Sequence, residues 1–489
     1  MHERQIRLAW LIGATLLIGA CGARAEPTSP PDTSAVPTSA ATAPAPSEAD
    51  WARVGEAIRL MGDAGSDVWA GWGDSLPPMI LETEQDDWIV AAPPGIDGLV
   101  AAPDLEVEGF DVRRRPGRLV PGIGVQKLAS GYAVAILPRP ELQSLVDRVL
   151  GEGAITLDEV EYVRWIVHES FHVFEIEAMS GSLPLFGFTG SDMALVEELS
   201  AVPGHLDGVA RDGELLLAAL RSTGDEETIA AIRRFFEARA ERRSTVDEQV
   251  VALERGVEWT EGLARYADVR LLQAAGSEYT PSAGFLGLGA GYPEAEATWE
   301  DAIAWLADLH QVPGTLRDWH YELGAAQAYL LDRVMPGWQP RALPGGEALE
   351  DLLAEAVAAA DAGIPATLRA LPQETVELAG QRLRVAIADT PDSWSRGLAG
   401  VRSLGPLDGL LFVFPDAVEA AFFMRGAVMP LDVAFVDADR RVTAVATMAL
   451  CDADPCPTYE SPTPYRWALE ADAGALSGTD PGALLTFDP

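Results

Sequence analysis

Lysine is almost absent from this chain: Lys127 is the only one, and every other basic residue is an arginine. Bases of both kinds are scarce, with 35 Lys and Arg against 75 Asp and Glu in 489 residues and a formal net charge of −40. Such a surface repels phosphate backbones, which excludes nucleic acid as a partner. It fits a high-salt environment or a GC-rich genome, and it describes solvent rather than fold. Three cysteines are too few for a disulfide scaffold. There is no G-x-G-x-x-G spacing and no P-loop lysine, hence no nucleotide site, and no G-x-S-x-G elbow to carry a serine nucleophile. The chain also shows no internal repeat. What remains is 48 % apolar and 22 % charged, which excludes wholesale disorder and leaves room for two or more domains.

The N-terminus reads as an address. Arg4 and Arg7 precede an apolar run over 8–20 that is too short to span a membrane, so 1–20 has the pattern of a secretory signal. Ile18-Gly19-Ala20-Cys21 resembles a bacterial lipobox, which implies a lipid on Cys21 as the first mature residue. Residues 21–50, rich in Pro, Ser, Thr and Ala, read as a solvated tether. The expectation is an exported protein of the bacterial cell envelope, periplasmic or at the cell surface, held to the membrane only by that lipid.

The folded part predicts a multidomain α+β protein. Residues 51–156 mix short strands, at 88–91 and 132–137, with Pro and Gly turns. A helical pattern follows over 156–276, then a Gly-rich loop at 284–291, then helices over 300–309, 321–334 and 347–360. From 374 the text turns strand-like, which places one domain at 51–365 and a small mainly β domain at 374–489.

His168-Glu169-Ser170-Phe171-His172 is H-E-x-x-H. Thr156 with Glu159 predicts a capping box at the start of its helix. Residues at i and i+4 share a helix face, so both imidazoles can reach one Zn²⁺, while Glu169 is placed to take a proton from a metal-activated water. Trp165, Ile166 and Val167 before the motif, and Val173 and Phe174 after it, give a dry setting. A catalytic zinc needs a third protein ligand. The metzincin extension is absent, which leaves Glu261, the pair Glu197 and Glu198, and His205 in a Pro-Gly-His turn. H-E-x-x-H followed by Glu261-Gly262-Leu263-Ala264-Arg265-Tyr266 resembles the gluzincin metallopeptidases. That resemblance implies a zincin-like domain, Zn²⁺ on His168, His172 and Glu261 (alternatively Glu198), Glu169 as general base, and a peptide or protein substrate. The 89 residues between His172 and Glu261 exceed the group's usual spacing, and a helical hairpin over 225–255 accounts for part of the excess. By residue type, Tyr266, His320 and Tyr321 are candidate donors to an oxyanion. The rival expectation is a catalytically silent zincin-like binding or scaffold protein.

In the last domain, Arg396-Gly397-Leu398, the segment 409–415, Phe423-Met424-Arg425 and the segment 429–437 resemble the domain of unknown function 192, a small mainly β family. This chain reads Phe-Met-Arg-Gly-Ala where that family usually has Trp-Met-Lys-Asn-Thr. The resemblance implies no reaction. Alternation predicts hairpins around 380–381 and 437–440. Cys451 and Cys456 flank a loop that a disulfide could close.

Overall fold

The computed structural model describes residues 45–487 apart from 121, 151–152, 154–155, 189–194, 197–198, 201, 278 and 313–314. The signal, Cys21, most of the tether, and Glu197 and Glu198 lie outside the described residues. Among the described residues no helix is long and apolar enough to cross a membrane. The chain forms two compact units, the first made of residues up to Leu217 with Glu237–Ala328 and Leu343–Ala348.

The first unit opens with helix α1 (Glu48–Val68), which starts inside the segment expected to be tether. Ser47 caps it: its hydroxyl accepts from the Asp50 N–H while the Asp50 carboxylate accepts from the Ser47 N–H. Its buried face mixes an apolar stripe, Val54, Ala57, Ile58 and Met61, with the charged Asp50, Arg53 and Glu56. Six strands follow: β1 (Met79–Glu82), β2 (Asp86–Val90), β3 (Val100–Val107), β4 (Phe110–Pro116), β5 (Gly124–Leu128) and β6 (Gly131–Ile136). They form one sheet in the order β3-β4-β2-β1-β6-β5, with β1 and β6 parallel and β5 at an edge.

After α2 (Arg139–Leu150), helix α3 (Glu159–Ala178) carries H-E-x-x-H and packs on β5 and β6. Its cap is Asp158, whose carboxylate accepts from the Glu161 N–H, rather than Thr156; the Asp side chain lies directly before the first helical residue. Helices α4 (His205–Arg221) and α5 (Asp225–Arg243) lead to α6 (Glu248–Ala275), which packs on both α1 and α3. Glu261 was expected near a helix start and instead lies in the middle of α6. The Gly-rich segment expected as a loop holds a short helix, α7 (Ala283–Gly287), capped by Ser282. Helix α8 (Ala295–Ala304) precedes α9 (Leu316–Val334), so Tyr321 falls inside a helix rather than opening one. Backbones meet where α6 crosses α9. A Cβ on Gly262 would stand 2.5 Å from the Gly324 Cα, and one on Gly324 would stand 2.2 Å from the Glu258 carbonyl oxygen. Only glycines permit that approach.

The second unit comprises Ala218–Phe236, Tyr329–Ala342 and Leu349–Pro489, so the division does not follow the expected 365/374 boundary. Two arginines bind the helical segments of this unit. Arg333 donates to the carbonyls of Leu220 and Ser222, and Arg369 bonds the Asp225 carboxylate and the Val334 carbonyl, tying helical segments into this unit. Its seven-stranded sheet uses β7 (Gln373–Leu378), β8 (Gln381–Ala388), β9 (Gly409–Val418), β11 (Leu431–Val436), β12 (Val442–Met448), β14 (Tyr465–Asp472) and β15 (Leu485–Phe487); β10 (Phe422–Phe423) and β13 (Thr458–Tyr459) make a separate ribbon. Both expected hairpins form, β7–β8 and β11–β12. The β14 residues alternate between two apolar clusters, with Tyr465 and Ala468 in one, Trp467 and Leu469 in the other. Each large apolar side chain buried there contributes about 1.5–3 kcal/mol.

Candidate metal centre

His168 and His172 sit one turn apart on α3, with Glu261 facing them from α6, and one ligand atom from each lies within 4.8 Å of the others. All three are buried. The Nε2 atoms of His168 and His172 stand 3.5 and 3.2 Å from the same Glu261 oxygen. Tetrahedral ligands about 2.0–2.1 Å from zinc are about 3.3 Å apart, which these two separations match, and two imidazoles with one carboxylate are donors that zinc takes. Each Nδ1 is held by a further carboxylate, His168 by Asp268 at 3.1 Å and His172 by Glu175 at 2.7 Å. With a metal on Nε2 each Nδ1–H donates to its carboxylate, which fixes tautomer and ring angle. Asp268 is itself braced by Arg164 at 2.9 Å and Arg265 at 3.2 Å.

The electrostatics ask for positive charge between the rings. Burial pulls both imidazoles toward the neutral form, yet Asp268 and Glu261 raise His168, and Glu261 with Glu175 raises His172 well above its ordinary value. Burial pushes Glu261 up, but Arg317 and His172 outweigh it and hold the carboxyl well below the usual range. Glu175 is pushed up to about 7 by burial despite His172. Burial also raises Glu169, against the pull of the two histidines. One Glu169 oxygen, Oε2, has no hydrogen-bond partner among the described residues, although the side chain is buried; the backbone N–H of Val125 on β5 donates to this carboxylate. This buried, half-satisfied carboxylate stands beside the three candidate ligands.

The remaining sequence candidates separate. Tyr321 joins the site: its ring stacks on His168 at 6.4 Å, and its hydroxyl accepts from Arg317, which reaches Glu261 at 2.9 Å. Tyr266 instead packs edge-on against Trp69 at 6.2 Å. His320 is bonded to Glu258 at 2.9 Å, within a buried network with Arg239. His205, weighed as a third ligand, begins α4, and burial and then Arg242 depress its pKa. Sequence reading missed Arg317, Asp268 and Glu175. The last two had a helical signal, since seven residues after Glu261 and three after His172 fall on the same faces as those residues. Arg317 had none, because its position depends on the Gly262–Gly324 crossing.

A cavity of about 460 Å³ opens on Glu261 and Arg317. Its walls include Val125 and Lys127 of β5, Phe188, and Leu253, Gly256 and Val257 of α6.

In the second unit Cys451 and Cys456 are joined in a disulfide. Of the Phe-Met-Arg segment, Met424 is buried and Phe423 exposed, and Arg425 pairs with Asp454.

Residues 374–487 match the domain of unknown function 192, described as an uncharacterized ACR, so the C-terminal β-rich domain is of that family. Two solved structures are similar to part of the chain. A protein of unknown function from Novosphingobium aromaticivorans DSM 12444 is 28 % identical over 24 % of this chain and 84 % of its own, with a TM-score of 0.22. A protein of Sinorhizobium meliloti 1021, provisionally assigned as a transcription regulator, is 26 % identical over 24 % of this chain and 95 % of its own, with a TM-score of 0.22. No curated protein matches the chain.

Proposed function

We propose that the first unit is a zincin-like, zinc-dependent peptidase and that the chain is carried on the bacterial cell envelope by a lipid on Cys21. The observation that carries the reading is the convergence of His168, His172 and Glu261 beside the orphaned Glu169 oxygen. The donor set of two imidazoles and one carboxylate leaves a fourth position open, as catalytic zinc sites do. When bound, the ion supplies Lewis acidity that activates water and polarises a carbonyl. Glu169 takes the proton from the attacking water and returns it to the leaving amine. Arg317 and Tyr321 hold Glu261 and His168 in place, and Tyr321 is the candidate donor to a developing oxyanion that stands in the site. The edge strand β5 offers backbone groups along which an extended peptide can lie.

The test is metal content together with peptide hydrolysis by the purified protein lacking its leader, compared with Glu169→Gln. The expected result is one zinc per chain in both proteins, with hydrolysis lowered about 10²–10⁴-fold or more in the variant. A metal-free, inactive protein sinks the reading and leaves a zincin-like scaffold.

A further inference from the structure

The cavity beside Glu261 is lined mainly by apolar side chains, although the chain is strongly acidic. Its walls are large and apolar: Leu183, Leu185 and Phe188 after α3, Tyr132 on β6, and Leu253 and Val257 on α6. At its rim stands Lys127, the chain's single lysine, exposed on the edge strand with its ammonium 6.0 Å from the Tyr132 ring. Among the described residues Lys127 has no carboxylate partner, although the chain carries 75 acidic residues. At about 460 Å³ the space exceeds one aromatic side chain. A wet, charged substrate group gains nothing against those walls, whereas a Phe or Leu side chain is removed from water.

Resting on the peptidase reading above, we propose that this cavity selects peptides with a large apolar side chain next to the cleaved bond and that Lys127 receives a carboxylate of the same peptide. That carboxylate is either a neighbouring Asp or Glu side chain or the peptide's own C-terminus. The bond broken is the amide, water supplying OH to the carbonyl carbon and a proton to the amine.

Gly256 provides a clean way to fill the cavity. It lines the wall, and a Cβ built on it meets nothing within 4 Å. Gly256→Leu therefore occupies the space from a helix position that tolerates a side chain. Peptides carrying Gly, Ala, Leu or Phe beside the bond, with Glu or Gln at the next position and a free or amidated C-terminus, separate the terms. Hydrolysis is read as kcat/KM, and binding of the same peptides is measured calorimetrically on Glu169→Gln.

The expected result is a preference of about 10- to 100-fold for Phe and Leu over Ala in both readouts, reduced to within about threefold by Gly256→Leu. A carboxylate preference of about threefold is lost in Lys127→Gln. If that preference follows Glu over Gln the source is a side chain; if it follows free over amidated ends, the terminus. Hydrolysis with no apolar preference, or one that Gly256→Leu leaves intact, overturns the cavity assignment alone. Equal rates for acid and neutral peptides overturn the role of Lys127. Selective binding without hydrolysis overturns the peptidase reading while the cavity assignment stands.

Discussion

The two units bury different things. The interior of the first is crowded with ionisable groups: Arg164, His168, Glu169, His172, Glu175, Asp212, Arg239, Glu258, Glu261, Arg265 and Asp268 are all buried. Most are linked in chains, such as Asp212–Arg239–Glu258–His320 and Arg317–Glu261–His172–Glu175. The strand core of the second unit is apolar apart from Asp432 and Glu470. Asp432 is satisfied by the Thr447 hydroxyl and the backbone N–H groups of Gly474 and Leu476. Glu470 has an oxygen without a partner, and burial pushes it up to about 7. Buried charge costs stability unless it is paired, so these groups serve placement, while cohesion falls to the apolar side chains packed around them. The fold of the second unit is held by its two apolar clusters, and that of the first accommodates a site.

If this contrast is right, removing a charge has opposite signs in the two units. Arg239→Ala takes one cation from two buried carboxylates, leaving Asp212 to Arg242 and Glu258 to His320 and Gln327, and urea denaturation should show a loss of about 3 kcal/mol. A neutral result breaks the contrast. Glu470→Gln should stabilise the second unit at alkaline pH. With a folded pKa of about 7 against 4.5 when exposed, the wild-type residue contributes fully below about pH 4.5. That contribution is lost as pH rises through 7, to a total of about 3 kcal/mol. The variant should lose this pH dependence, read from hydrogen exchange of the β14 amides in the whole chain between pH 5 and 9. The smallest change sharpens the site itself. Glu175→Gln keeps a hydrogen-bond acceptor on His172 Nδ1 but removes its charge, so zinc affinity should fall about tenfold, measured by competition with a chelator. An unchanged affinity would mean that Glu175 supports the helix and not the metal.

Much of the candidate site is legible in the sequence. H-E-x-x-H needs only helical periodicity, and the apolar flanks of α3 supply it. Glu261 was legible through its Glu-Gly-Leu-Ala setting, though its place in mid-helix was not. The hairpins of the second unit and the Cys451–Cys456 closure followed from alternation and short separation. Helix α1 was missed although Val54, Ala57, Ile58 and Met61 form an apolar stripe at helical spacing; its start lies in the Pro- and Ser-rich segment, and Asp50, Arg53 and Glu56 interrupt the buried face.

The sequence by itself determined that two imidazoles share a helix face, that the last domain is a β module, and that the surface is acidic, because each depends on residues near in the chain or on composition alone. Tertiary structure decided which carboxylate completes the triad and which arginine neutralises it. It also decided that the one lysine stands at the mouth of an apolar cavity. The arginine's place depends on two glycines, Gly262 and Gly324, 62 residues apart, letting α6 and α9 touch backbone to backbone; the carboxylate's depends on α6 packing on α3. No local pattern carries information about a contact at that separation.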